Sequence, residues 1–217
     1  MFKNAAQART ALDGTLGRYC AELLRPAGIT VMAWSEIGVR HITANHPVRN
    51  PADLRDLHIR VPVSDVILES FKVLGAKPDT LAFPQLPEAL RTGRFEAQEN
   101  PVNIIVAGQL NKAQSHLSLT GHCYTAGPII MSTDVLEELP AADQALVAAA
   151  AQAGAQASRV HATRMETEGL QILRAAGMTI VEDIDRAAFQ AYSAPAMDHL
   201  GTVFGAEAVA RFRAAIA

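Results

Sequence analysis

The chain has 217 residues and a formal net charge of -3, with 49% hydrophobic residues against 19% charged residues. This composition excludes an intrinsically disordered chain, and the small negative charge argues against a dedicated nucleic-acid-binding protein. Its two cysteines, Cys20 and Cys123, are too few for a disulfide-rich scaffold. Charged residues interrupt every apolar stretch of residues 1–27, so we expect no signal peptide there, and we expect no membrane-spanning segment.

Apolar spacing and turn residues predict strands that alternate with helices along the whole chain. The first half predicts a helix at 4–24 with a break near Gly14, strands at 29–34 and 39–43, a helical turn from Pro51, a strand at 58–62, a helix at 65–74, a strand at 80–83, a helix at 86–92 and a strand at 95–98. The second half predicts a helix at 102–108, strands at 115–124 and 128–132, a long helix from 133 to 176 that restarts near Pro140, a strand at 178–181 and helices at 185–199 and 206–215. This alternation predicts an α/β fold.

The short motifs of common nucleotide-binding and hydrolase sites, G-x-G-x-x-G, G-x-x-x-x-G-K-[ST] and G-x-S-x-G, do not occur in the sequence. His122 and Cys123 are adjacent, so on a strand their side chains point to opposite faces and do not form a metal site. We therefore expect no metal and no cofactor. An enzyme that uses His122 or His58 is the least favoured interpretation, because neither histidine has a recognisable nucleophile or metal partner.

Two arginines occur on short apolar strands. Arg60 lies between Ile59 and Val61, and Arg40 follows Gly38 and Val39. A buried guanidinium needs an anion, because an unpaired charge inside a protein is very costly. A ligand carboxylate is one such anion, since the planar guanidinium can grip it with two parallel hydrogen bonds. The alternative is the commoner one, an exposed arginine paired with Asp or Glu.

Six short motifs follow one another in a fixed order. They are Gly38-Val39-Arg40, the run from Pro47 to Ile59-Arg60-Val61-Pro62, Leu74-Gly75-Ala76, the run from Phe83 to Gly93, Gln98-Glu99-Asn100-Pro101, and Thr120-Gly121-His122-Cys123-Tyr124. In this order and spacing the chain resembles the solute-binding proteins of tripartite ATP-independent periplasmic (TRAP) transporters, the DctP-like family. The resemblance extends from about Gly14 to the C-terminus.

The resemblance implies a periplasmic-binding-protein type II-like two-lobe α/β fold with a long lobe-spanning helix. Residues 38–125 and 166–217 are expected to form the second lobe. Residues 1–37 and 126–165 are expected to form the spanning helix and a remnant of the first lobe, which is therefore expected to be incomplete. The sequence departs from the family pattern at Gln85-Leu86-Pro87 and at Ala97, which replaces a glycine, and these departures leave the ligand's identity open.

The resemblance also implies binding residues. The ligand-binding candidates are Arg60, Arg40, Asn100, Phe83, Gln98 and Tyr124. Arg60 is expected to hold the ligand carboxylate in a two-pronged salt bridge, with Arg40 as a further anion contact. Packing in a core is an alternative explanation for Phe83 and Tyr124.

The implied function is that of a periplasmic solute-binding subunit, which captures a small organic carboxylate and hands it to the membrane permease of a TRAP transporter. No enzymatic activity, cofactor or nucleic-acid partner is expected. The alternative is a second-lobe fragment that binds no solute on its own and self-associates through an exposed face of its first lobe.

Overall fold

The structure is a computed structural model, and it describes residues 2, 4–191, 201–202 and 205–216. Its strands are β1 (Ile29–Ala44), β2 (His58–Val61), β3 (Lys77–Thr80), β4 (Ala97–Pro101), β5 (His116–Ser132) and β6 (Thr179–Val181). Its helices are α1 (Ala5–Asp13), α2 (Thr15–Leu24), α3 (Asp65–Val73), α4 (Leu86–Arg91), α5 (Val102–Ala107), α6 (Thr133–Glu138), α7 (Ala141–Ala175), α8 (186–191) and α9 (Ala206–Ile216). Short 3-10 helices occur at Arg25–Ala27, Pro51–Leu54, Phe83–Gln85 and Leu110–Lys112. The predicted α/β fold is confirmed.

The strands form one mixed sheet in the order β3-β2-β4-β1-β5-β6. Strand β2 runs parallel to both β3 and β4, whereas β4 runs antiparallel to β1. The contacts from β1 to β5, Ser35 to Gly127 and His41 to Gly121, run in opposite chain directions, so this pair is antiparallel. The sheet therefore brings β2, β4 and β1 side by side, although they are far apart in the sequence.

Several predicted element boundaries are wrong. Strand β1 joins the two strands predicted at 29–34 and 39–43, because Gly38 takes a φ of 135° that only glycine adopts readily and lets the chain remain extended. Strand β5 likewise joins 115–124 and 128–132. Strand β3 ends at Thr80, where the predicted strand at 80–83 begins, and it tolerates Pro78 because it is an edge strand.

Two of the predicted helix boundaries are confirmed by the structure. The break between α1 and α2 falls at Gly14, as predicted, and α7 begins just after Pro140. Residues 186–191 of the helix predicted at 185–199 are helical, and 192–200 lie outside the described residues. None of the helices in the described part of the chain is long and apolar enough to cross a membrane.

The chain divides into two compact units. Of the described residues, the larger unit contains those within 39–123 and 165–209, and the smaller unit contains those within 2–38, 124–164 and 210–216. Most described residues of the predicted second lobe, 38–125 and 166–217, belong to the larger unit, but residues 38, 124–125 and 210–216 belong to the smaller one. Strands β1 and β5 and helix α7 contribute residues to both units.

The larger unit has a well-packed core. One cluster joins strand residues to helix α3 through Phe71, which is 1% exposed, and a second cluster includes Phe95 and Leu173. Ser64 caps the start of α3 by accepting a hydrogen bond from the backbone N–H of Ile67. Each fully buried large apolar side chain stabilises the fold by about 1.5–3 kcal/mol. This core holds the short strand β2 in place.

The buried apolar side chains described in the smaller unit are few and mostly small, namely Ala8, Ala11, Leu16, Ala33, Ala151, Ala155 and Ala162. Its buried cluster consists of Ala33, Ala151 and Ala155, with partly buried neighbours around them. Helix α7 instead contacts the β1 backbone through polar side chains: Gln152 donates to the Met32 carbonyl at 3.0 Å. Small alanine side chains permit this close approach of helix to strand.

Candidate functional site

Arg60 is the most unusual charged residue of the larger unit. It lies on β2 between Ile59 and Val61, which are both fully buried, and it is itself 3% exposed. Its Nε and Nη2 groups donate to the Leu81 carbonyl oxygen, with an Nε distance of 2.8 Å. A guanidinium has five N–H donors, so three remain without a partner among the described residues.

No carboxylate in the described part of the chain forms an ion pair with Arg60. Asp79 is its Cα partner on β3, but the Asp79 Oδ1 atom accepts a hydrogen bond from the Thr80 N–H at 2.8 Å. Burial lowers the pKa of the Arg60 guanidinium, Glu99 acts in the opposite direction, and Arg40 lowers this pKa further. Because arginine nevertheless stays protonated, the site contains a buried cation with free donors.

Arg40 on β1 has a different environment, because a protein carboxylate already pairs with it. Its Nη2 donates to Glu99 Oε1 at 2.6 Å, and its Nε donates to Glu99 Oε2. Nη2 also lies 3.2 Å from Asn100 Oδ1. Arg40 is 6% exposed and Glu99 is fully buried, so this is a buried, two-pronged ion pair. A role for Arg40 as a ligand contact stays a prediction.

Glu99 has a second partner in His122 on β5. The His122 Nε2 atom lies 3.1 Å from Glu99 Oε2, and its Nδ1 atom lies 2.8 Å from the Thr120 hydroxyl. These contacts fit a neutral imidazole that donates from Nε2 to Glu99 and accepts at Nδ1 from Thr120. Burial lowers the pKa of His122, which agrees with the neutral form. Burial alone raises the pKa of Glu99, but the hydrogen bonds from His122 and Arg40 outweigh it and keep that pKa below its usual range.

Asn100 and Gln98 belong to a chain of buried hydrogen bonds. Asn100 Nδ2 donates to Gln98 Oε1 at 2.6 Å, and Gln98 Nε2 donates to the Thr43 hydroxyl at 2.8 Å. Thr43 in turn donates to Gln114 Oε1 at 3.1 Å. Gln98 is also the Cα partner of Arg60 on the neighbouring strand. The chain thus fixes the orientation of both amides beside Arg60.

The two aromatic candidates have different positions. Phe83 follows the Leu81 carbonyl by two residues, packs against Gly108 and is 39% exposed, so it is not a core aromatic. Tyr124 belongs to the smaller unit, where its hydroxyl donates to Glu36 Oε2 at 3.1 Å. Arg9 binds the same Glu36 oxygen at 2.6 Å, and burial raises the pKa of Tyr124.

The larger unit therefore brings together Arg60, Arg40, Asn100 and Gln98, with Phe83 close in sequence to the carbonyl that Arg60 binds. Sequence reasoning missed the role of Glu99 and considered His122 only as a metal or catalytic candidate. The available signal was the polar run Gln98-Glu99-Asn100 inside a strand, β4, whose five residues are all buried. Within the described residues, no group of three or more His, Cys, Asp or Glu side chains is arranged to hold a metal ion.

Comparison with known proteins finds similarity along nearly the whole chain. The family model described as bacterial extracellular solute-binding protein, family 7, named DctP, matches residues 1–202. A solute-binding protein of Verminephrobacter eiseniae is 34% identical over 216 residues, which cover 99% of this chain and 64% of that protein. The 2,3-diketo-L-gulonate-binding periplasmic protein of Escherichia coli is 33% identical over 191 residues, which cover 87% of this chain and 58% of that protein.

The fold is also similar to solved structures. A TRAP periplasmic solute-binding protein from Polaromonas sp. JS666, bound to D-erythronate, has a TM-score of 0.90 and 34% identity, and the match covers 96% of this chain and 69% of that chain. The chain thus shares its fold with this protein, but it spans only 64% and 58% of the length of the two curated relatives.

Proposed function

The chain belongs to bacterial extracellular solute-binding protein family 7, the DctP family, and we propose that it is the solute-binding subunit of a TRAP transporter. The family predicted from the motifs is confirmed by the match to residues 1–202. Proteins of this family bind solutes and are not enzymes. In the proposed role the protein works in the periplasm, captures a small organic carboxylate and delivers it to the membrane permease.

The main support for this proposal is the state of Arg60. Its guanidinium is buried, receives no carboxylate from the described residues and keeps three N–H donors without a partner there. A guanidinium that is mostly removed from water and has no anionic partner favours an anion that reaches its free N–H groups. A carboxylate fits best because its two oxygens match the spacing of the guanidinium N–H groups.

The surroundings of Arg60 and the ligands of similar proteins support a small organic acid. Phe83, two residues after Leu81 in the sequence, is 39% exposed, and an exposed aromatic side chain can pack against the body of a ligand. The similar proteins from Escherichia coli and Polaromonas bind 2,3-diketo-L-gulonate and D-erythronate, respectively, and both ligands are small hydroxylated organic acids.

Isothermal titration calorimetry with D-erythronate, 2,3-diketo-L-gulonate, D-glucuronate and succinate tests the proposal. We expect at least one acid to bind, and we expect Arg60→Ala to weaken that binding by about 100-fold or more, as truncation of a buried charge pair does. Arg60→Lys keeps the positive charge but loses the planar guanidinium that donates two parallel hydrogen bonds, so we expect it to retain only part of the affinity. Arg91→Ala is the control, because Arg91 is exposed and pairs with Glu88. An Arg60→Ala affinity within about threefold of wild type contradicts the assignment.

The second candidate is a chain that binds no solute alone and associates with a second copy. It is supported by the smaller unit, whose buried apolar cluster is three alanines. Large apolar side chains of the same unit are exposed, among them Leu146 at 68%, Leu23 at 60% and Val160 at 59%. Exposed apolar surface of this kind is typical of association faces.

Light scattering on the titrated samples separates the two candidates. A monomer that binds an acid supports the solute-binding proposal and contradicts self-association. A dimer that binds none of the acids supports the second candidate. In that case we expect Leu146→Gln to shift the protein toward monomer.

A further inference from the structure

We infer that His41 and Glu166 bind a hydroxyl group of the ligand, so that the site selects hydroxylated acids over unsubstituted acids of the same carbon skeleton. The inference rests on the proposed function, in which Arg60 binds the carboxylate of the ligand. It assigns a second polar contact to the larger unit, which contains all three residues.

The imidazole ring of His41 supplies a buried N–H donor. The residue is 4% exposed, and its Nδ1 atom accepts a hydrogen bond from the Gly121 backbone N–H at 3.1 Å. An imidazole nitrogen that accepts carries no proton, so the proton of the ring is on Nε2. Within the described part of the chain, Nε2 has no hydrogen-bond partner. Buried N–H groups of this kind are rare, because they lose their hydration without compensation, and a ligand atom that accepts from Nε2 removes this cost.

Glu166 of helix α7 places a carboxylate oxygen close to this donor. Its Oε2 atom lies 3.7 Å from His41 Nε2, which is too long for a direct hydrogen bond. A third oxygen atom can lie roughly 2.8 Å from both atoms at this separation. A hydroxyl group suits that position, because its oxygen accepts from His41 while its proton is donated to Glu166. The Glu166 side chain is 39% exposed, so it can adjust to the hydroxyl group.

Strand register places His41 on the same face of the sheet as Arg60. Arg60 lies opposite Gln98, and Asn100, two residues further along β4, lies opposite His41. Residues two apart in a strand share a face, and so do paired residues of neighbouring strands. Two strand spacings of about 4.8 Å and two residues of about 3.4 Å separate the Cα atoms of Arg60 and His41 by roughly 12 Å. The arginine side chain and the imidazole ring shorten this gap to the length of a small organic acid.

The other charged groups near His41 agree with a neutral hydroxyl group as the bound species. His122 is an electrostatic neighbour of His41, but both of its ring nitrogens are already hydrogen-bonded. The Nη2 atom of Arg186, an exposed residue, lies 3.9 Å from where a Cβ on Gly121 would be. Glu166 itself repels a second carboxylate, and a carbonyl group has no proton to donate to it. A hydroxyl group is neutral and provides both hydrogen bonds.

Matched pairs of acids test this selectivity in the wild-type protein. D-erythronate and butyrate share a four-carbon chain with one carboxylate, and L-malate and succinate share a four-carbon chain with two, but only the first acid of each pair is hydroxylated. We expect calorimetry at pH 7 to give about tenfold or more tighter binding of the hydroxylated acid in every pair that binds. Equal or tighter binding of the unsubstituted acid overturns the inference.

Two substitutions of His41 test whether its N–H donor is the cause. Both His41→Met and His41→Gln remove the acceptor for the Gly121 N–H, but the glutamine amide keeps a donor near the position of Nε2. We expect His41→Met to lower the preference for the hydroxylated acid by about tenfold while the affinity for the unsubstituted acid changes little. His41→Gln should keep most of the preference. His46→Met is the matched control, because His46 is exposed, and it should keep the wild-type ratio.

Glu166→Met tests the acceptor at a partly exposed position, so it decides the matter if the His41 variants do not fold. We expect the same loss of preference, whereas Glu168→Met, at an exposed position of the same helix, should keep the wild-type ratio. An unchanged ratio in folded His41→Met or Glu166→Met, or an equal loss of affinity for both acids of a pair, overturns the inference while the proposed function stands. Full affinity in Arg60→Ala, or no binding of any acid to the wild type, defeats the proposed function and the inference together.

Discussion

Removing the charge of Arg40 should destabilise the larger unit strongly. Arg40→Met keeps much of the side-chain length but leaves Glu99, which is fully buried, with His122 as its remaining side-chain partner. Breaking a buried ion pair in this way costs about 3–5 kcal/mol. The exposed pair of Arg91 and Glu88 has similar two-pronged geometry, yet Arg91→Met should cost much less stability because solvent screens the pair.

Urea unfolding monitored by circular dichroism measures the difference. With an m-value of about 2 kcal/mol per molar urea, the expected loss for Arg40→Met lowers the midpoint by about 1.5–2.5 M. The double variant Arg40→Met with Glu99→Leu should recover most of the loss, since an apolar pair of similar volume replaces the ions. The reasoning is refuted if the urea midpoint of Arg40→Met is no lower than that of Arg91→Met. It is also refuted if the double variant loses as much stability as the single variants Arg40→Met and Glu99→Leu lose together.

Two further predictions concern pH and close packing. Stability should fall in two stages on acidification. Burial lowers the pKa of His122 in the folded protein, so its contribution to stability is complete above pH 6.5 and declines below it. The pKa of Glu99 is also lowered in the folded protein, so its contribution to stability declines as the pH falls below 4.5. Urea midpoints across pH 3–8 measure both, and His122→Gln should remove the upper stage; an unchanged profile in this variant contradicts the assignment. Gly17→Ala should destabilise the protein by about 1–3 kcal/mol although alanine favours helices, because a Cβ there would lie 1.7 Å from the Leu12 carbonyl oxygen and 2.7 Å from Trp34 Nε1. Gly154→Ala meets only ordinary contact, with Ile129 at 3.8 Å, so it should stabilise the protein by up to about 1 kcal/mol; thermal melts of the two variants that shift in the same direction argue against this account.

Local sequence patterns predicted the elements whose signals lie within a few residues. The break at Gly14, the start of α3 at Asp65 and the restart of the helix after Pro140 are examples. Strand predictions failed where the sheet accommodates a residue that local patterns do not favour inside a strand. Gly38 continues β1, and Pro78 lies in β3 because an edge strand does not need its missing N–H.

In the candidate site, too, some features follow from the local sequence and others depend on strand pairing. The apolar neighbours of Arg60 left both a buried and an exposed arginine open, and the structure buries it. The same reasoning applied to Arg40 did not reveal that a carboxylate 59 residues further along the chain already neutralises it. The register of β1 against β4, with Ile42 opposite Glu99, creates that pair.

By itself, the sequence determined the α/β character of this protein and its family, because these follow from local composition and from motifs in order. Only the tertiary structure decided which charges cancel and which remain. Glu99 reaches Arg40 and His122 through strand pairing, and Tyr124 joins Glu36 in the other compact unit. Strand register joins residues that are distant in the chain, and a local pattern contains no information about the charge that will lie opposite.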